Sequence, residues 1–130
     1  NGTLKLGPGI YGLSNAALNT PWSKVMRCRK GLKHLIEIDN VNETELVRLL
    51  SDRKTDSAAN AKSDELPFEM GRRLTAPFII SPEYGTRCTT ALTWAYTGKM
   101  MVCEHRFDAD GKKIGRSKFH FDALSNQPEE

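Results

Sequence analysis

Between residues 87 and 121 the chain consists of three runs in which apolar and polar side chains alternate, separated by Thr97-Gly98 and by Asp108-Ala109-Asp110-Gly111. A period of two with glycine-bearing breaks is the pattern of antiparallel strands joined by tight turns, because glycine supplies the positive φ that such turns need. The spacing predicts strands over residues 87–96, 99–107 and 114–121, laid side by side as a meander. Alternation puts Cys88, Thr90, Leu92, Trp94 and Tyr96 on one face of the first strand.

The upstream half has a different period. Trp22, Val25, Met26, Leu32, Leu35 and Ile36 recur at helical spacing, with Lys24, Arg27, Lys30, Lys33 and His34 on the opposite side. Thr20 is the expected N-cap of this helix and Pro21 its first residue, where a missing N–H costs nothing. A second helix is expected after Asn42, which forms a capping-box pattern with Glu45 ahead of Leu46, Val47, Leu49 and Leu50. Residues 51–64 read as helix end and surface loop. Pro67, Pro77 and Pro82 then break up regular structure, although Phe78, Ile79 and Ile80 must still be buried. Two main helices grouped apart from an antiparallel sheet specify an α+β arrangement.

Residues 10–22, IYGLSNAALNTPW, carry the most chemistry for their length. They read as a strand that ends on Asn15, then a turn, then the first helix. An amide at a strand end beside a helix N-terminus is well placed to bind a ligand. A second polar group, Tyr84-Gly85-Thr86-Arg87, precedes the meander.

At 130 residues the chain suits a single domain spanning residues 1–130. Its formal net charge of +3 is spread over 19 basic and 16 acidic residues that interleave, so neither nucleic acid nor a membrane surface is an expected partner. No run approaches the ~20 apolar residues that span a bilayer. Cys28, Cys88 and Cys103 are odd in number and lack CxxC spacing, which points to a reducing, cytoplasmic setting and to no metal site. Cys88 and Cys103 are expected to pack as small apolar groups. Cys28, among Arg27, Arg29 and Lys30, is expected to favour its thiolate. Asn1-Gly2 ahead of an apolar run is a hairpin signal that asks for a preceding strand, so the chain reads as the C-terminal part of a larger domain. The sheet edge this leaves open could be covered by a second copy in a homo-oligomer.

The segments GIYGLSNAALNTPWSKV, FIISPEYGTRCTTALTW and FDADGKKIGRSKFHF closely resemble the C-terminal half of the NRDE family, also called the transport and Golgi organisation protein 2 family. The resemblance covers nearly the whole chain. It implies the αββα sandwich of the N-terminal-nucleophile hydrolases and a role in intracellular haem trafficking. The choloylglycine-hydrolase branch of that superfamily is a more distant likeness. By it, Asn15 in Leu13-Ser14-Asn15-Ala16 corresponds to an oxyanion donor and Arg87 to an arginine that contacts the nucleophile. Ser23 departs from the family pattern, in which many relatives have a second Pro there, and so does Cys88-Thr89, where hydroxyl residues are usual.

The resemblance implies the first two of three functions, and the residues alone suggest the third. The first is binding and handing on haem or another hydrophobic metabolite, in a pocket of Tyr11, Asn15, Trp22, Tyr84, Thr86 and Arg87. The candidate haem ligands are His34, His105 and His120, with Met100 and Met101 behind them, although none sits in a CxxCH motif. The second is an amide or thioester hydrolase with Asn15 and Arg87 in support; Asn1 is not a nucleophile, so this chain alone would need an upstream Cys. The third is a scaffold in which Asn15 caps a turn, Arg87 makes an ion pair, and the basic stripe of the first helix is only solvated.

Overall fold

The structure, a computed structural model, describes residues 3–56 and 68–123. The expected hairpin turn at Asn1-Gly2 and most of the polar stretch at 57–67, with Pro67, lie outside these residues. Three helices, α1 (Ser23–Glu37), α2 (Glu43–Leu50) and the short α3 (Phe68–Arg73), precede a sheet of β1 (Cys88–Trp94), β2 (Lys99–Phe107) and β3 (Lys113–Asp122). The strands are antiparallel in the order β1-β2-β3, so the architecture is α+β with the predicted meander. The turns fall where the glycines are: Gly98 and Gly111 take φ of 83° and 71°. No helix among the described residues is long and apolar enough to cross a membrane.

The register decides what each face carries. Ala91, Cys103 and Lys118 align across the three strands, as do Thr89, His105 and Arg116. This is the covered face: α2 lies against β1, α1 lies against α2, and Thr89, Ala91, Cys103 and Phe107 are buried. Phe78, only 2% exposed, meets Phe107 edge to face at 4.8 Å and brings residues 76–80 into the same core. Thr86 holds that segment in place. Its N–H donates to the Ile79 carbonyl and its hydroxyl accepts from the Ile79 N–H, at 2.9 and 3.0 Å.

Among the described residues, no element covers the opposite face. Leu92 pairs with Val102 and Val102 with Phe119, while Trp94 pairs with Met100 and Met100 with Phe121. Leu92, Trp94, Phe119 and Phe121 are each 54–66% exposed. The side chains expected on one face of β1 do share it, but it is the uncovered one. Cys88 is correspondingly exposed, not packed; Cys103, one strand over on the covered side, is 0% exposed.

Two local expectations are corrected. Residues 10–14 join no ladder among the described residues. Their backbone is held instead by side chains: Gly12 N–H donates to Asn19 Oδ1 (2.9 Å), and Arg29 donates to the Ile10 carbonyl (3.1 Å). Asn19, at φ 60°, closes the loop by donating its own N–H to the Gly12 carbonyl (2.7 Å). Asparagine tolerates this left-handed geometry better than most residues, so the chain reverses here without a strand partner. The first helix begins at Ser23, with Trp22 as a backbone cap, because the Thr20 hydroxyl donates back to Ala17. The cap of α2 is as expected: Asn42 accepts from the Glu45 N–H.

Candidate functional site

The segment pinned by Asn19 walls a cavity of about 490 Å³ against both helices and the first strand. Leu13, Val25, Leu32, Leu46, Leu49 and Leu50 give it apolar lining, and Tyr11, Lys24, Cys28 and Arg29 its polar groups. At its edge residues 10–14 pack closely on α1: an added Cβ at Gly12 would sit 2.6 Å from Val25. Burial lowers the Lys24 pKa; its ammonium donates to the Leu74 carbonyl and lies 5.4 Å from the Trp22 ring centre.

Of the six residues expected to form a pocket, Tyr11 lines this cavity. Asn15 is exposed in the bend that follows. Trp22 and Tyr84 are exposed as well, Thr86 is engaged with Ile79, and Arg87 is exposed at the residue before β1. The three histidines stand apart from one another: His34 on a smaller cavity between α1 and α2, His105 on the covered face of the sheet, and His120 exposed on β3.

The basic side of α1 is only partly solvated. Lys24 is half-buried, and Arg27 binds Asp52 and Asp56, each at 2.9 Å, which ties α1 to the chain after α2. Lys33 pairs with Glu37 within the helix. The charge around Cys28 also acts differently from expectation. Burial, reinforced by the Asp52 carboxylate, pushes its thiol pKa up, and Arg27 and Lys24 do not offset this.

A second cluster was not legible from spacing. Glu43, the first residue of α2, points at the covered face of the sheet, where Cys103 donates to its carboxylate at 3.0 Å. Arg116 and Lys118 reach the same carboxylate at 2.6 and 2.9 Å, and His105 Nε2 lies 3.7 Å away. The thiol hydrogen bond and the Lys118 ammonium hold the Glu43 carboxyl down at about 2. Glu43, Cys103 and His105 each place a ligand atom within 4.8 Å of the other two. Cys103-x-His105 on one strand was the available signal, since residues two apart share a face. Its third member comes from a helix 60 residues away.

The segments that form the cavity and the first two strands are those a family model recognises. The model, described as Transport and Golgi organisation 2, matches residues 1–109. The chain belongs to the transport and Golgi organisation 2 family. A relative within that description, the Transport and Golgi organization protein 2 homolog of Bos taurus, is 32% identical over 97 residues, covering 67% of this chain and 34% of the relative. The chain thus spans about a third of the length of that transport and Golgi organisation protein.

Proposed function

We propose that this chain supplies part of a domain that binds a small hydrophobic metabolite, haem being the first candidate, and hands it on unchanged. The cavity beside residues 10–14 carries this reading. Its volume of about 490 Å³ falls within the ~300–1,000 Å³ typical of small-molecule sites, and leucines with a few convergent polar groups are the usual lining. Lys24 and Arg29 suit the carboxylates of an amphipathic ligand such as haem. Tyr11 and Cys28 are the side chains there that can ligate iron. Burial raises the Cys28 thiol, which works against a thiolate ligand there and leaves Tyr11 as the first ligand to test.

The bare face of the sheet supports reading residues 1–130 as part of a larger αββα domain of the N-terminal-nucleophile-hydrolase type, with the second sheet lying over Leu92, Trp94, Phe119 and Phe121. Three unpaired thiols fit a reducing, cytoplasmic setting.

Titration with haemin, followed in the Soret band, tests the proposal. A saturable, near-stoichiometric shift that Tyr11→Phe weakens, and that His34→Ala, His105→Ala and His120→Ala leave in place, is the expected result. A shift that never saturates, or that one of the histidine changes abolishes, removes this cavity as the carrier site. A hydrolase would instead turn over acyl substrates and lose that turnover in Asn15→Ala or Arg87→Ala.

A further inference from the structure

The covered face of the sheet holds a group with no evident purpose in ligand carriage. His105 Nε2 is buried without a hydrogen-bond partner among the described residues. Its nearest charged neighbour, a Glu43 carboxylate oxygen at 3.7 Å, is beyond hydrogen-bonding reach, and that oxygen already accepts from the Cys103 thiol at 3.0 Å. A buried imidazole nitrogen left unpaired is costly, so its persistence calls for a partner of another kind.

We propose that Glu43, Cys103 and His105 form a site for a thiophilic divalent cation of the Zn²⁺ type. Carboxylate oxygen, thiolate sulfur and imidazole nitrogen are zinc's ordinary ligands, and three protein ligands leave a fourth position open. A tetrahedral ion with bonds of about 2.0–2.3 Å sets its ligand atoms roughly 3.3–3.7 Å apart. The three ligand atoms already lie within 4.8 Å of one another, so small side-chain rotations close the site. The strand places Cys103 and His105 on one face two residues apart, and the start of α2 brings Glu43 down onto them.

Binding exchanges one proton. The Cys103 S–H bond breaks, the sulfur keeps the electron pair and donates it to the cation, and the proton leaves to solvent. Before binding, Glu43 is neutralised by Arg116 and Lys118, whose side chains are 44% and 37% exposed and free to swing outward. After binding, the dication balances carboxylate and thiolate. The fourth position faces a groove that His105, Lys113, Arg116 and Lys118 line, so it takes water or a small anion.

Titration of the reduced, untagged chain with Co²⁺, then Zn²⁺ competition, decides the matter. We expect one equivalent of Co²⁺ to produce a thiolate-to-cobalt charge-transfer band with release of a proton. Cys103→Ser should abolish the band, while Cys28→Ser and Cys88→Ser retain it. His105→Gln and Glu43→Gln should weaken binding by more than the ~10–100-fold that loss of an outer partner costs. Arg116→Gln with Lys118→Gln should tighten binding several-fold, because the competing cations are gone; a merely structural cluster would show no such gain. Circular dichroism checks that each variant folds, and should Cys103→Ser fail to fold, the half-buried His105→Gln decides. Absence of saturable binding, or a band that survives loss of Cys103 or disappears with Cys28 or Cys88, overturns the site.

Discussion

Three thiols occupy three environments, and their reactivity should differ accordingly. Cys88 is exposed at the start of β1, Cys28 is half-buried beside Asp52, and Cys103 is sealed beneath α2. The thiolate is the reacting species, so a thiol whose pKa is raised carries less of it at a given pH. Alkylation by iodoacetamide in the metal-free chain, read by peptide mass spectrometry, should modify Cys88 first and Cys28 later. The Cys28 rate should climb only at a pH above the range of an ordinary thiol, and Cys103 should be modified only on unfolding. Equal rates at Cys28 and Cys88 near neutrality would contradict the buried setting of Cys28. Position in the sequence misled here because burial, with the Asp52 carboxylate beside it, outweighs the neighbouring cations Arg27 and Lys24.

At the scale of elements, Gly111 marks a point where the fold leaves little room for a side chain. Gly111 has φ +71° and faces Ile80 and Phe78, with an added Cβ only 2.7 Å from the nearer of them. Gly111→Ala should therefore cost about 1–3 kcal/mol from backbone strain, a fall in Tm of roughly 4–12 °C, measured by thermal melting. An unchanged Tm would mean that the β2–β3 turn can adopt another geometry. The strands, both main helices and the α2 cap were legible because each rests on local chemistry: alternation, helical spacing, and Asn42 three residues before Glu45. The helix at Phe68–Arg73 was not, since six residues between proline-rich stretches give no periodic signal. Residues 10–14 carried a strand pattern, yet what they pair with depends on Asn19 and Arg29, contacts that periodicity does not reveal.

Among the described residues the sheet has one face under helices and one face bare. The bare face is the more apolar, with Leu92, Trp94, Phe119 and Phe121, whereas the covered face includes Glu43's partners His105, Arg116 and Lys118. Contiguous exposed apolar surface of this kind binds hydrophobic dyes. Bright anilinonaphthalene-sulfonate fluorescence is expected from the folded chain and should fall markedly in Trp94→Ser with Phe119→Ser; dim fluorescence from the unaltered chain would show that the face is covered in solution. Alternation located both faces of β1, but which face the helices would choose was not in it, because that choice lies in contacts between residues far apart in the chain.

That separation has a kinetic side. The meander closes through two short turns, so its pairings are local and inexpensive in chain entropy. The Glu43 cluster instead joins residues 60 and 73 positions apart. Cys103 and His105 are neighbours on one strand, but Glu43 joins them only when α2 docks on the sheet, so the full set of carboxylate, thiol and imidazole exists only in the packed fold. An ion that recognises all three would act on the finished fold and slow its unfolding, while leaving the early steps of assembly untouched.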